Sequence, residues 1–147
     1  MTTAADAIRA ASRAPADVHA QLAAAYASDR DGDEPTALRY YERARALGVP
    51  DADLRGFTVG YGSTLRNLGR ADDAVAILAE AAAADPDSAP YRAFLALALL
   101  DAGQPRAAVA TLLGVALDTA QPGAFDRFER ALGAYYTQLL DAAVSGR

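Results

Sequence analysis

Apolar residues recur along this chain at steps of three and four, the spacing that predicts one apolar face of an α-helix. The last segment, 124–144, is the clearest case, with one wide stripe made of Phe125, Phe128, Leu132, Tyr135, Tyr136, Leu139 and Leu140. Polar stretches rich in glycine and proline separate such segments at 28–35, 48–50 and 85–88, and at Gly103 and Gly123. The pattern predicts seven or eight helices and no sheet.

Several helix starts carry their own signals. Residues 3–13 predict a short amphipathic helix, and Pro15 stops it. Asp17 is placed to cap the next helix, because an aspartate before the first turn accepts hydrogen bonds from free backbone N–H groups. Asp33 is placed to cap the following helix, with Pro35 in its first turn, where no donor is needed.

The chain also matches itself at a spacing of 34 residues. Residues 68–78 (LGRADDAVAIL) align with residues 102–112 (AGQPRAAVATL), and glycine, alanine, valine, alanine and leucine are identical at matching positions. This period is typical of a helix-turn-helix unit that cannot bury its apolar face alone and therefore stacks on its neighbours.

By this period and phase, the chain resembles the tetratricopeptide repeat (TPR) family. The matching residues of the second unit are Tyr61, Gly62, Leu65, Gly69, Ala74 and Leu78, and those of the third are Leu95, Ala96, Leu99, Gly103, Ala108 and Leu112. The first unit is degenerate, because its inner loop is two residues longer, and the family's usual early tryptophan is absent from the chain.

The resemblance implies an all-α fold, a right-handed α-solenoid of three helix pairs in one domain. We expect a short N-terminal helix in 1–14, repeats at 16–50, 55–88 and 89–122, and a C-terminal capping helix at 124–144. The apolar stripe of that last helix is suited to covering the third repeat, or else to docking into a groove or onto a second subunit.

Composition narrows the function classes. The net charge of −5 argues against nucleic acid, whose binding needs a clustered positive surface. There is no cysteine, no apolar run of membrane length and no signal-like start, so we expect a cytoplasmic protein without a cofactor or metal. Every basic residue except one histidine is arginine, which removes lysine chemistry.

In this family the first helix of each pair lines a concave groove, and the third repeat places Phe94 and Leu97 there. The helix around them is apolar on nearly every side, so something apolar is expected to cover these two residues. The C-terminal helix, a second subunit and a bound peptide are the alternatives.

The corresponding helix of the second repeat contains two glycines one turn apart, Gly56 and Gly60, which the repeat pattern does not require. Both would lie on the groove side. Helical glycines cost stability, so they are expected either to permit close packing against the first repeat or to let a ligand approach.

Beside them the groove would present Ser63, Arg66 and Asn67, with Gln21 from the first repeat and Asp101 from the third. An arginine fork and an asparagine amide suit a peptide terminus, which makes these residues a candidate anchor. Alternatively, Arg66 pairs with Asp101 or Asp72. The lysine-based clamp of chaperone-binding relatives is not expected, because the chain has no lysine.

Catalysis has little support in the sequence. His19 is the single histidine, and no nucleophile or second ligand is placed beside it. The acidic stretch 29–34 is superficially similar to a calcium loop but has Tyr40 where the bidentate glutamate is required.

Three function classes follow. The leading one is a non-catalytic scaffold that binds a peptide or partner protein in the groove, of which a secretion-type chaperone is a variant. The second is a self-associating protein that forms a homodimer through the third repeat and the C-terminal helix. An enzyme is the third.

Overall fold

A computed structural model describes residues 1–146, and over these residues the chain is all-α, as predicted. The α-helices are α1 (Ala4–Arg13), α2 (Val18–Arg30), α3 (Glu34–Leu47), α4 (Asp51–Asn67), α5 (Ala71–Ala84), α6 (Ala89–Asp101), α7 (Pro105–Thr119) and α8 (Glu129–Val144). A short 3₁₀ turn, Asp126–Phe128, precedes α8. Within the same residues, no helix has both the length and the apolar character needed to cross a bilayer.

Two predicted caps are present. The Asp17 carboxylate accepts hydrogen bonds from the backbone N–H groups of His19 and Ala20, at 2.9 and 3.3 Å. The Asp33 carboxylate accepts one from Thr36 at 3.2 Å, and Pro35 lies in the first turn of α3. Both predictions are confirmed, because a cap depends only on residues adjacent in sequence.

The 34-residue period is visible in two turns with the same backbone geometry. Gly69 and Gly103 have φ angles of 78° and 75°, a left-handed conformation that glycine adopts without strain. In each turn the residue after the glycine donates its backbone N–H back across the turn, from Arg70 to Leu65 at 2.9 Å and from Gln104 to Leu99 at 2.8 Å. These bonds satisfy carbonyl groups at the end of α4 and α6.

The described chain forms two compact units, Met1–Arg70 and Ala71–Arg147. In the first unit, α1 and α3 pack on α2, and α4 packs on α3 and α2. It contains an aromatic cluster in which ring centroids lie 5.4 to 6.0 Å apart, made of the buried Tyr41, Phe57 and Tyr61 and of Tyr26, which is exposed at its edge.

In the second unit each helix packs on the next, from α5 to α8. Small residues dominate its buried positions, among them Ala74 and Ala108, which the sequence aligned as the close-approach positions of the two repeats. Arg92 of α6 and Asp118 of α7 form an ion pair at 2.6 Å that joins these two helices.

The C-terminal helix begins later than predicted. It was expected from residue 124, but α8 starts at Glu129. Asp126 has a φ of 52°, and a left-handed residue of this kind cannot continue a right-handed helix, so the preceding residues form turns instead. Its bounds are corrected to Glu129–Val144.

Candidate functional site

A polar face runs along the last turns of α4. Arg66 and Asn67 lie three and four residues after Ser63, so both share one side of the helix with it. Ser63 and Arg66 are half-buried, and Asn67 is exposed. The Arg66 guanidinium donates to the Asn67 side-chain oxygen at 3.4 Å, and the Asn67 amide donates to the Glu34 carboxylate at 3.5 Å. The second contact links the end of α4 to the start of α3.

Gly60 has a packing role. A Cβ atom built on Gly60 would lie 2.8 Å from Cζ of Tyr41, so the missing side chain makes room for that ring. Gly56 similarly accommodates the Tyr26 hydroxyl, which would lie 3.3 Å from an added Cβ. Of the two alternatives considered for these glycines, close packing has direct structural support.

Gln21 is not exposed on a binding face of α2, and its predicted placement is corrected. Its side chain is fully buried, and its amide nitrogen donates to the carbonyl oxygens of Ala11 and Ala14 at 3.0 and 3.2 Å. These carbonyls belong to the last turn of α1 and the residue after it, so Gln21 fastens α1 to α2. The sequence prediction failed because it took no account of α1 docking on this side of α2.

An apolar face lies on α6. Phe94 is half-buried, Leu97 is 37% exposed, and Asp101 is exposed one turn further along the same side. In the second unit α6 packs on α5 and α7, whereas α8 packs on α7. The C-terminal helix is therefore not what covers this face, which removes one of the three alternatives.

Asp29 and Tyr41 form a partly buried polar contact that the sequence did not reveal. The Tyr41 hydroxyl donates to the Asp29 carboxylate at 3.2 Å. Burial raises the pKa of Asp29, although the hydrogen bond from Tyr41 acts in the opposite direction. Burial, followed by the Asp29 charge, also raises the pKa of Tyr41. One sequence feature could have indicated this contact: Tyr41 occupies a core position of the first repeat, and the acidic stretch 29–34 precedes its helix.

The histidine and the acidic residues considered for catalysis or metal binding do not lie together in one site. The His19 imidazole is largely exposed and lies 3.5 Å from the Asp53 carboxylate. Among residues 1–146, no three histidine or acidic side chains come together as a metal site. Asp29 of the acidic stretch contacts Tyr41, and Asp33 caps α3, so both have structural partners.

Consecutive helices that pack on one another within each unit, with glycine turns of matching geometry 34 residues apart, define a helical repeat protein. A family model described as Tetratrico peptide repeat matches residues 18–139, which is most of the chain. The chain therefore belongs to the tetratricopeptide repeat family. No curated protein and no solved structure matched it in the corresponding comparisons.

Proposed function

We propose that the chain is a non-catalytic interaction module that binds a partner protein, with one candidate contact face on α4 in the first compact unit and another on α6 in the second. TPR domains generally bind proteins, and the first helix of each repeat supplies the binding residues. The proposed contact residues are Ser63, Arg66, Asn67, Phe94, Leu97 and Asp101. Gln21 and Gly60 are left out because both are committed to packing.

The observation that carries the proposal is the exposure of Leu97. A leucine that is 37% exposed beside a half-buried phenylalanine is an apolar contact surface, and within the second unit α8 packs elsewhere. In the first unit, the polar face of α4 is a second candidate contact, because Arg66 and Asn67 provide donors and acceptors suited to a peptide backbone or carboxylate.

A photo-crosslinking residue at position 97 tests the proposal. We expect position 97 to crosslink a partner, whereas the same residue at position 76 of α5 should not. Ala76 is the control because it is exposed on a helix of the same unit and lies outside the exposed apolar side chains of α6, α7 and α8. Equal labelling from both positions would show adhesion without a defined site.

Substitutions then test the energetics. Arg66→Ala is expected to weaken partner capture by about 1.5–3 kcal/mol, the usual cost of losing a charged hydrogen bond. Arg45→Ala removes an exposed arginine from α3 and should leave capture unchanged. If both variants bind as wild type does, α4 is not part of the binding surface.

A second candidate function is self-association, and one observation favours it. Large apolar side chains are exposed on α7 and α8, including Val109 at 54%, Tyr135 at 57% and Val144 at 90%. A symmetric dimer would bury the same patch on both copies. Light scattering over a range of concentrations distinguishes the two candidates: a stable dimer that Tyr135→Ala dissociates supports self-association, and a monomer supports the interaction module.

A further inference from the structure

A cleft between α1 and α3 lies away from the faces of α4 and α6. Both helices pack on α2, but neither packs on the other, so the space between them stays open. The cleft has a volume of about 570 Å³, which lies within the range of sites for small ligands. It lies wholly within the first compact unit.

Gln21 supplies a buried acceptor to this cleft. Its amide nitrogen is used by the end of α1, but its amide oxygen has no hydrogen-bond donor among residues 1–146. A buried polar atom without a partner costs free energy, and such atoms are uncommon in folded proteins. The oxygen would be satisfied by an N–H group from a bound molecule.

Arg43 supplies a positive charge to the same cleft. Its guanidinium lies 5.1 Å from the centre of the Tyr40 ring, a cation–π contact that holds the side chain in place. Within residues 1–146 it forms no ion pair with an acidic side chain. A positioned guanidinium without a carboxylate partner is suited to an anion, and its planar fork matches a carboxylate in particular.

The rest of the lining is apolar except for Ser12, whose hydroxyl donates to the Ile8 carbonyl oxygen at 2.8 Å. Pro15 and Ala11 lie on one side, and Ala46 and Leu47 on the other. Leu47 is 42% exposed, which is high for a leucine that only fills a core. These residues suit an aliphatic side chain.

We infer that the cleft binds the carboxyl-terminal residue of a peptide chain that ends in an aliphatic side chain. Such a residue carries all three required groups: a carboxylate for Arg43, an N–H for the Gln21 oxygen and a side chain for the apolar lining. This site is separate from the proposed function, and neither depends on the other.

A labelled peptide of sequence GSGSAAL with a free carboxylate tests the inference by fluorescence anisotropy. We expect saturable binding, and at least about tenfold weaker binding of the same peptide with a carboxyl-terminal amide. N-acetyl-leucine carries the same three groups and should compete with the labelled peptide, whereas acetate, which carries the carboxylate alone, should not. Equal binding of peptide and amide, competition by acetate as effective as that by N-acetyl-leucine, or no saturable binding would overturn the inference.

Two arginine variants provide a matched pair. Arg39 also lies 5.1 Å from the Tyr40 ring centre, but it is not part of the cleft lining. We expect Arg43→Gln to weaken peptide binding about tenfold or more and Arg39→Gln to leave it within about twofold. Equal losses would indicate general electrostatic attraction and contradict a defined site.

A cleft-filling variant separates the two proposed sites. Ala46 is exposed and lines the cleft, so Ala46→Trp should abolish binding of the peptide while the helical circular dichroism spectrum is retained. Leu97→Ser should leave binding of this peptide unchanged. If Leu97→Ser weakens binding and Ala46→Trp does not, the peptide occupies the other surface and the cleft inference is wrong.

Discussion

The Tyr41 hydroxyl donates a hydrogen bond to the Asp29 carboxylate over 3.2 Å, joining the last turn of α2 to the middle of α3. Tyr41 is fully buried and contacts three other rings of the aromatic cluster. The carboxylate is thereby held at the edge of an apolar region. A buried charge with few partners destabilises a fold, and this gives the contact a pH dependence.

Asp29→Asn is expected to gain stability relative to wild type as the pH rises. The pKa of Asp29 is raised above its ordinary value of 3.8, chiefly by burial and also by the neighbouring charge of Glu34. A carboxyl group with a raised folded pKa stabilises the fold below its unfolded pKa and loses that contribution as the pH rises through the folded pKa. The difference between the two proteins should therefore develop as the pH rises above about 4, and urea unfolding across this range measures it.

Asp31→Asn is the control for this experiment. It removes an exposed acidic side chain two residues further along, without touching the Tyr41 hydroxyl. We expect it to leave the pH profile close to that of wild type. If Asp29→Asn also keeps the wild-type profile, the pKa of the partly buried Asp29 carboxylate is not raised in the folded protein.

The difference between Asp17 and Gln21 shows what the sequence could predict. Asp17 caps α2 through the next residues in the chain, and its role was correctly predicted. Gln21, one turn later, is defined by the docking of α1, a contact across 7 and 10 residues that periodicity does not encode. Local hydrogen bonds and the 34-residue period could therefore be predicted from the sequence. Whether a polar side chain lies on a binding face or between packed helices could not.

Gly60 illustrates the same limit. Its spacing from Gly56 placed both on one face, but the sequence could not distinguish packing from ligand contact, because the answer depends on the position of the Tyr41 ring. The binding role of Ser63, Arg66 and Asn67 of α4 likewise remains a prediction. The structure gives their exposure and hydrogen bonds, and a partner has to be measured.

Gly60→Ala is expected to destabilise the fold by about 1–3 kcal/mol through overpacking, partly offset by the better helix propensity of alanine. The added Cβ would lie 2.8 Å from Cζ of Tyr41, a buried side chain with little room to move. Gly133→Ala is the matched control, because an added Cβ on Gly133 of α8 meets nothing within 4 Å. That variant should gain up to about 1 kcal/mol. Denaturant unfolding measures both, and similar effects would contradict the packing role of Gly60.

Ala74→Leu tests the alignment of the repeats. Ala74 is fully buried in α5, at the position where a small residue lets paired helices approach. We expect a loss of about 1–3 kcal/mol. Ala76→Leu, on the exposed side of the same helix, should change stability by less than about 0.5 kcal/mol. Unchanged thermal midpoints in both variants would mean that the repeat phase was assigned to the wrong residues.

Neighbouring tyrosines of α8 test whether this helix caps the third repeat. An added Cβ on Gly114 of α7 would lie 3.0 Å from Cε2 of Tyr136, so Tyr136 packs closely on α7, whereas Tyr135 is 57% exposed. Tyr136→Ala is expected to cost about 1–3 kcal/mol in unfolding free energy, because the ring loses its apolar contact with α7. Tyr135→Ala should cost less than about 0.5 kcal/mol in a monomer, as for other exposed positions. Unfolding measured at two protein concentrations completes the test. A stability loss for Tyr135→Ala that appears only at the higher concentration would place Tyr135 in a dimer interface. If Tyr136→Ala unfolds with the wild-type free energy, α8 does not stabilise the repeat on which it packs.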